Sequence, residues 1–149
     1  MYQIVIIHDS QQLEQAFHIR RKVFIDEQHV PEELEMDDYD RQADTRHILL
    51  LDDQGQAVGT ARFRPYGGGV LKIERVAVTG KQRGQGVGRR IMEAIEAEAK
   101  KEKYDSLKLS AQLHAKSFYE GLGYQAKGPI YMDAGIEHVD MFKQISQEL

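Results

Sequence analysis

The chain has no cysteine, only three prolines, and no apolar run approaching the roughly 20 residues that a membrane-spanning helix requires. Without cysteine there are no disulfides, thiolate metal sites or cysteine nucleophiles, a composition that fits a reducing compartment. Met1 to Asp9 lacks a basic region followed by a long apolar stretch, so the expectation is a cytoplasmic protein with no membrane partner. Low-complexity tracts, long linkers and internal repeats are also missing. The 149 residues suffice for one core burying roughly two-thirds of the unfolded surface, so a single domain, 1–149, is expected. A net charge of −4 and a pI near 5.9 argue against nucleic acid as the main partner.

Hydrophobic patterning predicts strands interleaved with helices. YQIVII at 2–7 is rich in β-branched residues and stops at His8-Asp9-Ser10, which offers helix N-caps. Leu13, Ala16, Phe17, Ile19, Val23 and Phe24 follow at near-helical spacing, before an acidic stretch at 26–40 that is expected to be a loop or short irregular helix. Strands are expected at 47–53, 57–66, 70–78 and 106–111, the first two joined as a hairpin. Val87, Ile91, Ala94, Ile95 and Ala99 mark an amphipathic helix ending in KKEK, where lysines favour the negative C-terminal end. Residues 113–122 read as a short helix closed by Gly123, with extended segments around 129–133 and 138–145. The class is α+β or α/β with a mixed sheet.

The most informative stretch is KIERVAVTGKQRGQGVGRR at 72–90, a strand entering a helix through a basic, glycine-studded turn. Gly84, Gly86 and Gly88 let backbone N–H groups converge on one anion, and the first turn of the following helix adds its own. Lys81, Arg83, Arg89 and Arg90 make the local field cationic, so diphosphate is the natural guest. A nucleotide P-loop is excluded because no glycine is followed by Lys-Ser or Lys-Thr at the required spacing. The dinucleotide fingerprint fails too, since Arg89 occupies its third glycine position. A ligand-free glycine turn is the plain structural alternative.

Arg83-Gly84-Gln85-Gly86-Val87-Gly88 is similar to the R/Q-x-x-G-x-G/A signature of the GNAT superfamily of acyl-CoA N-acyltransferases, and the preceding E-R-V-A-V resembles that family's signature strand. Ala115 followed by Phe118-Tyr119-Glu120-Gly121-Leu122-Gly123-Tyr124 resembles its second hallmark, A-x-x-F-Y-x-x-x-G-F/Y. Arg20-Arg21-x-Val-Phe-x-x-Glu27-Gln28, Ala111-Gln112 and Gly135-Ile136-x-His138 resemble the ElaA-like subfamily. The resemblance implies a three-layer GNAT fold, with a mixed sheet of six to seven strands flanked by helices on both faces, and acetyl-CoA as acyl donor without a metal. It also implies a possible homodimer.

On that resemblance, the main chain of Val76, Ala77 and Val78 runs beside the pantetheine arm and polarises the thioester carbonyl. Amides from Arg83 through Gly84, Gln85, Gly86, Val87 and Gly88 to Arg89 wrap the diphosphate, and Lys81, Arg83, Arg89 or Arg90 can add side-chain contacts. Tyr119 matches the general acid: a phenol of pKa ~10 stays protonated at neutral pH and can reprotonate a thiolate whose conjugate acid lies near ~8.5. Many relatives have a cofactor-contacting asparagine where this chain has Gln112. The proton acceptor is expected to be Glu74, with His47 and His138 as other candidates; the structural alternative pairs Glu74 with Arg62 or Arg64.

In this fold the acceptor lies between the early helix-loop region and the late strands, here 24–44 and 131–138. Two pockets compete. Glu27, Glu32, Glu33, Glu35, Asp37, Asp38, Asp40 and Asp44 would draw a cationic amine, whereas Arg20, Arg21, Arg62, Arg64 and Arg75 would suit an amino-sugar phosphate. The expected activity is N-acetyl transfer to a primary amine of a small or peptidyl acceptor. The alternatives are an amino-sugar phosphate acceptor and a non-catalytic acyl-CoA-binding domain. A calcium loop at 38–44 fails for want of its glycine and terminal glutamate, and His18, His29 and His47 lack zinc-ligand spacing.

Overall fold

A computed structural model of the chain describes residues 2–146, apart from the side chain of Lys81. Strand β1 (Gln3–Ile6) leads to helix α1 (Ser10–Arg20), which Asp9 caps by accepting from the Gln12 amide at 2.8 Å. The helix then widens into a π-helical segment, Arg21–Glu27, followed by the single turn α2 (Glu32–Glu35) and a 3-10 turn at Asp38–Arg41. The acidic stretch is thus a chain of short irregular turns. Three antiparallel strands come next: β2 (Arg46–Leu51), β3 (Ala57–Gly67) and β4 (Val70–Val78). Helix α3 (Val87–Lys101) joins β4 to β5 (Ser106–Gln112), and α4 (Lys116–Gly121) joins β5 to β6 (Gln125–Asp133) and β7 (Ile136–Gln144).

The seven strands form one mixed sheet in the order β1-β2-β3-β4-β5-β7-β6. Every neighbouring pair is antiparallel except β4–β5. Helices α3 and α4 cover one face, where Val87, Ile91, Ile95 and Tyr119 pack on Phe63, Leu71, Ile73 and Leu109. On the other face, Ala16 and Ile19 of α1 and Val23 and Phe24 of the π-helical segment pack with Leu49 and Ala77. Each large aliphatic side chain buried this way stabilises by about 1.5–3 kcal/mol.

The site is positioned by a failure of pairing at mid-sheet. β4 and β5 are in register from Val70↔Ser106 to Ile73↔Leu109 and then part, although β4 continues to Val78 and β5 to Gln112. The cause is a bulge: between the pairs Arg62↔Glu74 and Thr60↔Ala77, β4 carries one more residue than β3. Arg75 sits there at φ 57, a left-handed conformation uncommon for a side-chain-bearing residue. Carbonyls at the end of α2 hold it, accepting from its guanidinium at 3.1 Å (Glu35) and 3.2 Å (Leu34).

Candidate active site

Where β4 and β5 part, a cavity of about 650 Å³ opens between the two lips. Val76, Ala77 and Val78 line it from β4, and Ser110 and Gln112 from β5. Tyr119 of α4, Tyr131 of β6 and His138 of β7 line it from the late part of the chain; Phe24 and Glu27 line it from the π-helical segment. Beyond Arg83 the wall gives way to the exposed glycine turn. Gly84 and Gly86 take φ +83 and +79, and a Cβ at either would meet nothing within 4 Å. Gly86 is the N-cap of α3 and supplies no side chain, which leaves the first-turn amides of the helix without a side-chain acceptor at the cap. Gly88 differs: it lies inside α3, where a Cβ would come 3.2 Å from Phe118.

These features decide what the chain resembles. The family model described as acetyltransferase (GNAT) domain matches residues 7–145. The chain belongs to the GNAT acetyltransferase family. Among curated relatives, the Bacillus subtilis protein YyaT is 41% identical over 138 residues, 92% of each chain. Among solved structures, an acyl-CoA N-acyltransferase from Pseudomonas aeruginosa superposes with a TM-score of 0.85 at 29% identity, covering 96% of this chain and 99% of the other. Escherichia coli ElaA superposes at 0.83 with 26% identity, covering 96% and 98%. The mixed seven-stranded sheet with helices on both faces is the GNAT fold.

Read as a GNAT site, the geometry brings most of the expected residues together. Val76, Ala77, Val78, Arg83, Gln112, Tyr119 and Glu74 all line the cavity. Gly84, Gln85 and Gly86 form the adjoining turn, and Val87, Gly88 and Arg89 open α3, where Val87 is buried and its side chain faces the core. Arg89 is exposed and pairs with Glu93 at 3.3 Å, while Arg90 stacks over the Tyr2 ring. Lys81 lies outside the described side chains. The parted strands, open glycine turn and uncapped helix amides fit an acyl-CoA in extended form: a narrow arm between the strands and an anion at the turn.

Tyr119 is 8% exposed, and burial pushes its hydroxyl up to about 12. It stays a proton carrier across the physiological range. Glu74 fares otherwise. Its carboxylate accepts from Arg64 Nε at 2.7 Å and Arg62 Nη2 at 2.8 Å, with Lys72 Nζ at 3.3 Å. Burial alone raises its pKa, but Arg64, Arg62 and Lys72 together hold it at about 2. An anion so held is a poor proton acceptor at neutral pH, so the geometry is that of the ion-paired alternative.

His47 is buried beside Phe17, with Nε2 2.9 Å from the Asp40 carbonyl, and burial depresses its pKa. It lies away from the cavity wall. His138 lines the cavity, and its Nδ1 donates to the Ile136 carbonyl at 2.7 Å, which leaves Nε2 as the basic nitrogen. Tyr131 stacks on the His138 ring at 6.0 Å; its hydroxyl shares a hydrogen bond with Ser110 and donates to Asp140 at 2.7 Å.

The two acceptor pockets read from the sequence neutralise each other. Buried Arg20 binds Glu35 at 2.7 Å and Asp40 at 2.6 Å, and buried Arg62 binds Asp37 at 2.6 Å and Asp40 at 2.9 Å. Arg75 reaches Asp37 at 3.2 Å and Glu35 at 3.3 Å. Against the upward push of burial, Arg20 and Arg62 pull the Asp40 pKa down, whereas for Glu35 burial outweighs Arg75 and Arg20 and the pKa rises. The sequence shows these residues without showing how they pair. Among the described residues, no group of three or more His, Asp or Glu side chains could hold a metal, and no helix is long and apolar enough to cross a membrane.

Proposed function

We propose that this protein is an acetyl-CoA-dependent N-acetyltransferase acting on a primary amine of a small-molecule or peptidyl acceptor, by direct attack in a ternary complex. One observation carries the reading: a bulge at Arg75 opens the sheet beside Val76–Val78, and the opening is lined by a buried phenol and an imidazole. The main chain of Val76, Ala77 and Val78 polarises the thioester carbonyl, and the amides of 83–89 with Arg83 take the diphosphate. His138 Nε2 accepts the amine proton as the nitrogen–carbon bond forms; Tyr119 protonates the sulfur as the carbon–sulfur bond breaks. Burial that raises the phenol raises the departing thiol as well, because both charged forms are anions in one desolvated cleft. Gln112 occupies the position of the family's asparagine at the β5 lip.

The amino-sugar phosphate reading needs free arginines in the acceptor region, and Arg20, Arg62, Arg64 and Arg75 are each committed to a carboxylate. A non-catalytic acyl-CoA-binding domain has no use for Tyr119 and His138 in one cavity. The test is free-thiol release from acetyl-CoA against a panel of polyamines, lysyl peptides and amino-sugar phosphates. Release with unphosphorylated amines supports the proposal; release only with sugar phosphates, or none with any acceptor, refutes it.

A further inference from the structure

Two consecutive residues at the end of the π-helical segment, Glu27 and Gln28, hold two side chains that the proposed function gives to the cofactor. Glu27 Oε1 accepts from Arg83 Nη2 at 2.6 Å. Gln28 exchanges amide hydrogen bonds with Gln112 at 2.8 and 3.2 Å. Arg83 follows β4 and Gln112 ends β5, so the two contacts reach one lip of the cleft each. One turn earlier, Val23 and Phe24 pack in the same apolar cluster as Ala77, which fixes the segment against β4. π-Helical turns recur at functional sites, where the extra residue re-aims a side chain.

Glu27 also differs from the other paired carboxylates of the cavity. Glu35 and Glu74 are bound by arginines of the buried charge cluster. The partner of Glu27 is the exposed Arg83, at the start of the phosphate-binding turn. An exposed pair between two long side chains holds weakly, and a diphosphate offers Arg83 more charge and bidentate oxygens than one carboxylate does. The exchange therefore favours the cofactor, and it leaves Glu27 as an uncompensated negative charge on the cavity wall.

Resting on the acyl-CoA reading, we propose that Glu27 is a cation-binding residue of the acceptor site that the cofactor unlocks: the diphosphate takes Arg83, and the released carboxylate receives the ammonium group of the acceptor. Coupling of this kind is reciprocal, so a bound cationic amine also tightens the hold on the cofactor.

The test is calorimetry of the whole chain with coenzyme A and with spermidine as the amine probe. In wild type, spermidine binds the coenzyme A complex about fivefold or more tightly than it binds the free protein. Glu27→Gln removes a competitor, so coenzyme A binds about two- to fivefold more tightly than to wild type, and the spermidine coupling disappears. In an Arg83→Ala background, Glu27→Gln brings no tightening, which separates competition for Arg83 from a general loss of negative charge. Unchanged or weaker coenzyme A binding in Glu27→Gln overturns the inference while leaving the acetyltransferase reading intact, as does spermidine binding that ignores the substitution. Failure of wild type to bind coenzyme A at all overturns both.

Discussion

In the proposed mechanism, burial and hydrogen bonding fit Tyr119 and His138 for proton transfer. With its hydroxyl at about 12, Tyr119 remains protonated throughout the useful pH range, so it places no alkaline limb on the rate below about pH 10. Tyr119→Phe is expected to lower kcat by about 10²–10⁴ while leaving the coenzyme A dissociation constant within about twofold, as read by stopped-assay kinetics and calorimetry. His138→Gln keeps a hydrogen-bonding side chain but removes the proton acceptor. A fall in kcat/KM of about 10²–10⁴ is the expected outcome, and an unaltered kcat/KM would return the base assignment to a water relay. Glu74 looked from the sequence like a carboxylate well placed on the signature strand. Its three cationic partners hold it as an anion: Arg62 and Arg64 stand on β3, in register with Glu74 and Lys72, the pairing that the sequence carried as the alternative.

Two glycines set the approach of one element to another. Gly59 on β3 lies beneath α3, where a Cβ would meet Ile91 Cδ1 at 2.8 Å and Val87 Cγ1 at 3.0 Å. Gly59→Ala must therefore displace the Ile91 and Val87 side chains beneath α3, at about 1–3 kcal/mol in urea unfolding. Gly86→Ala acts on the turn itself. At φ +79 an alanine costs about 1–2 kcal/mol, and about a tenfold loss of coenzyme A affinity is expected by calorimetry. A mutant that binds as well as wild type would deny the turn its phosphate role. The glycine pattern announced this turn in the sequence, and a Cβ at Gly88 would come 3.2 Å from Phe118, which puts the two motifs side by side where α3 and α4 meet.

At the scale of the whole molecule, the buried charge cluster makes stability depend on acid. The Glu74 carboxyl titrates near 2 in the folded chain against 4.5 when unperturbed, so between those values the unfolded chain binds more protons. Its contribution, about 3 kcal/mol, is complete above pH ~4.5 and is lost as pH falls toward ~2. Glu74→Gln should flatten that part of the stability profile while lowering stability at pH 7, because Arg62 and Arg64 lose a partner; thermal melts from pH 2 to 7 provide the measurement. The extent of β4, an N-cap at His8-Asp9-Ser10, helix α3 and both family motifs were legible in the sequence, because strand alternation, helical spacing and glycine placement are local properties of the chain. The bulge at Arg75 was not, since a left-handed residue with a full side chain leaves no local mark and is held by carbonyls 40 and 41 residues away in sequence. Nor were the pairing of Arg20 and Arg62 with Glu35, Asp37 and Asp40, or the hold of Glu27 and Gln28 on Arg83 and Gln112. The sequence by itself determined the fold family and the glycine turn; the tertiary structure alone decided which charges cancel, because electrostatic pairing depends on distance in space, which opposite charges spread from Arg20 to Arg75 along the chain do not encode.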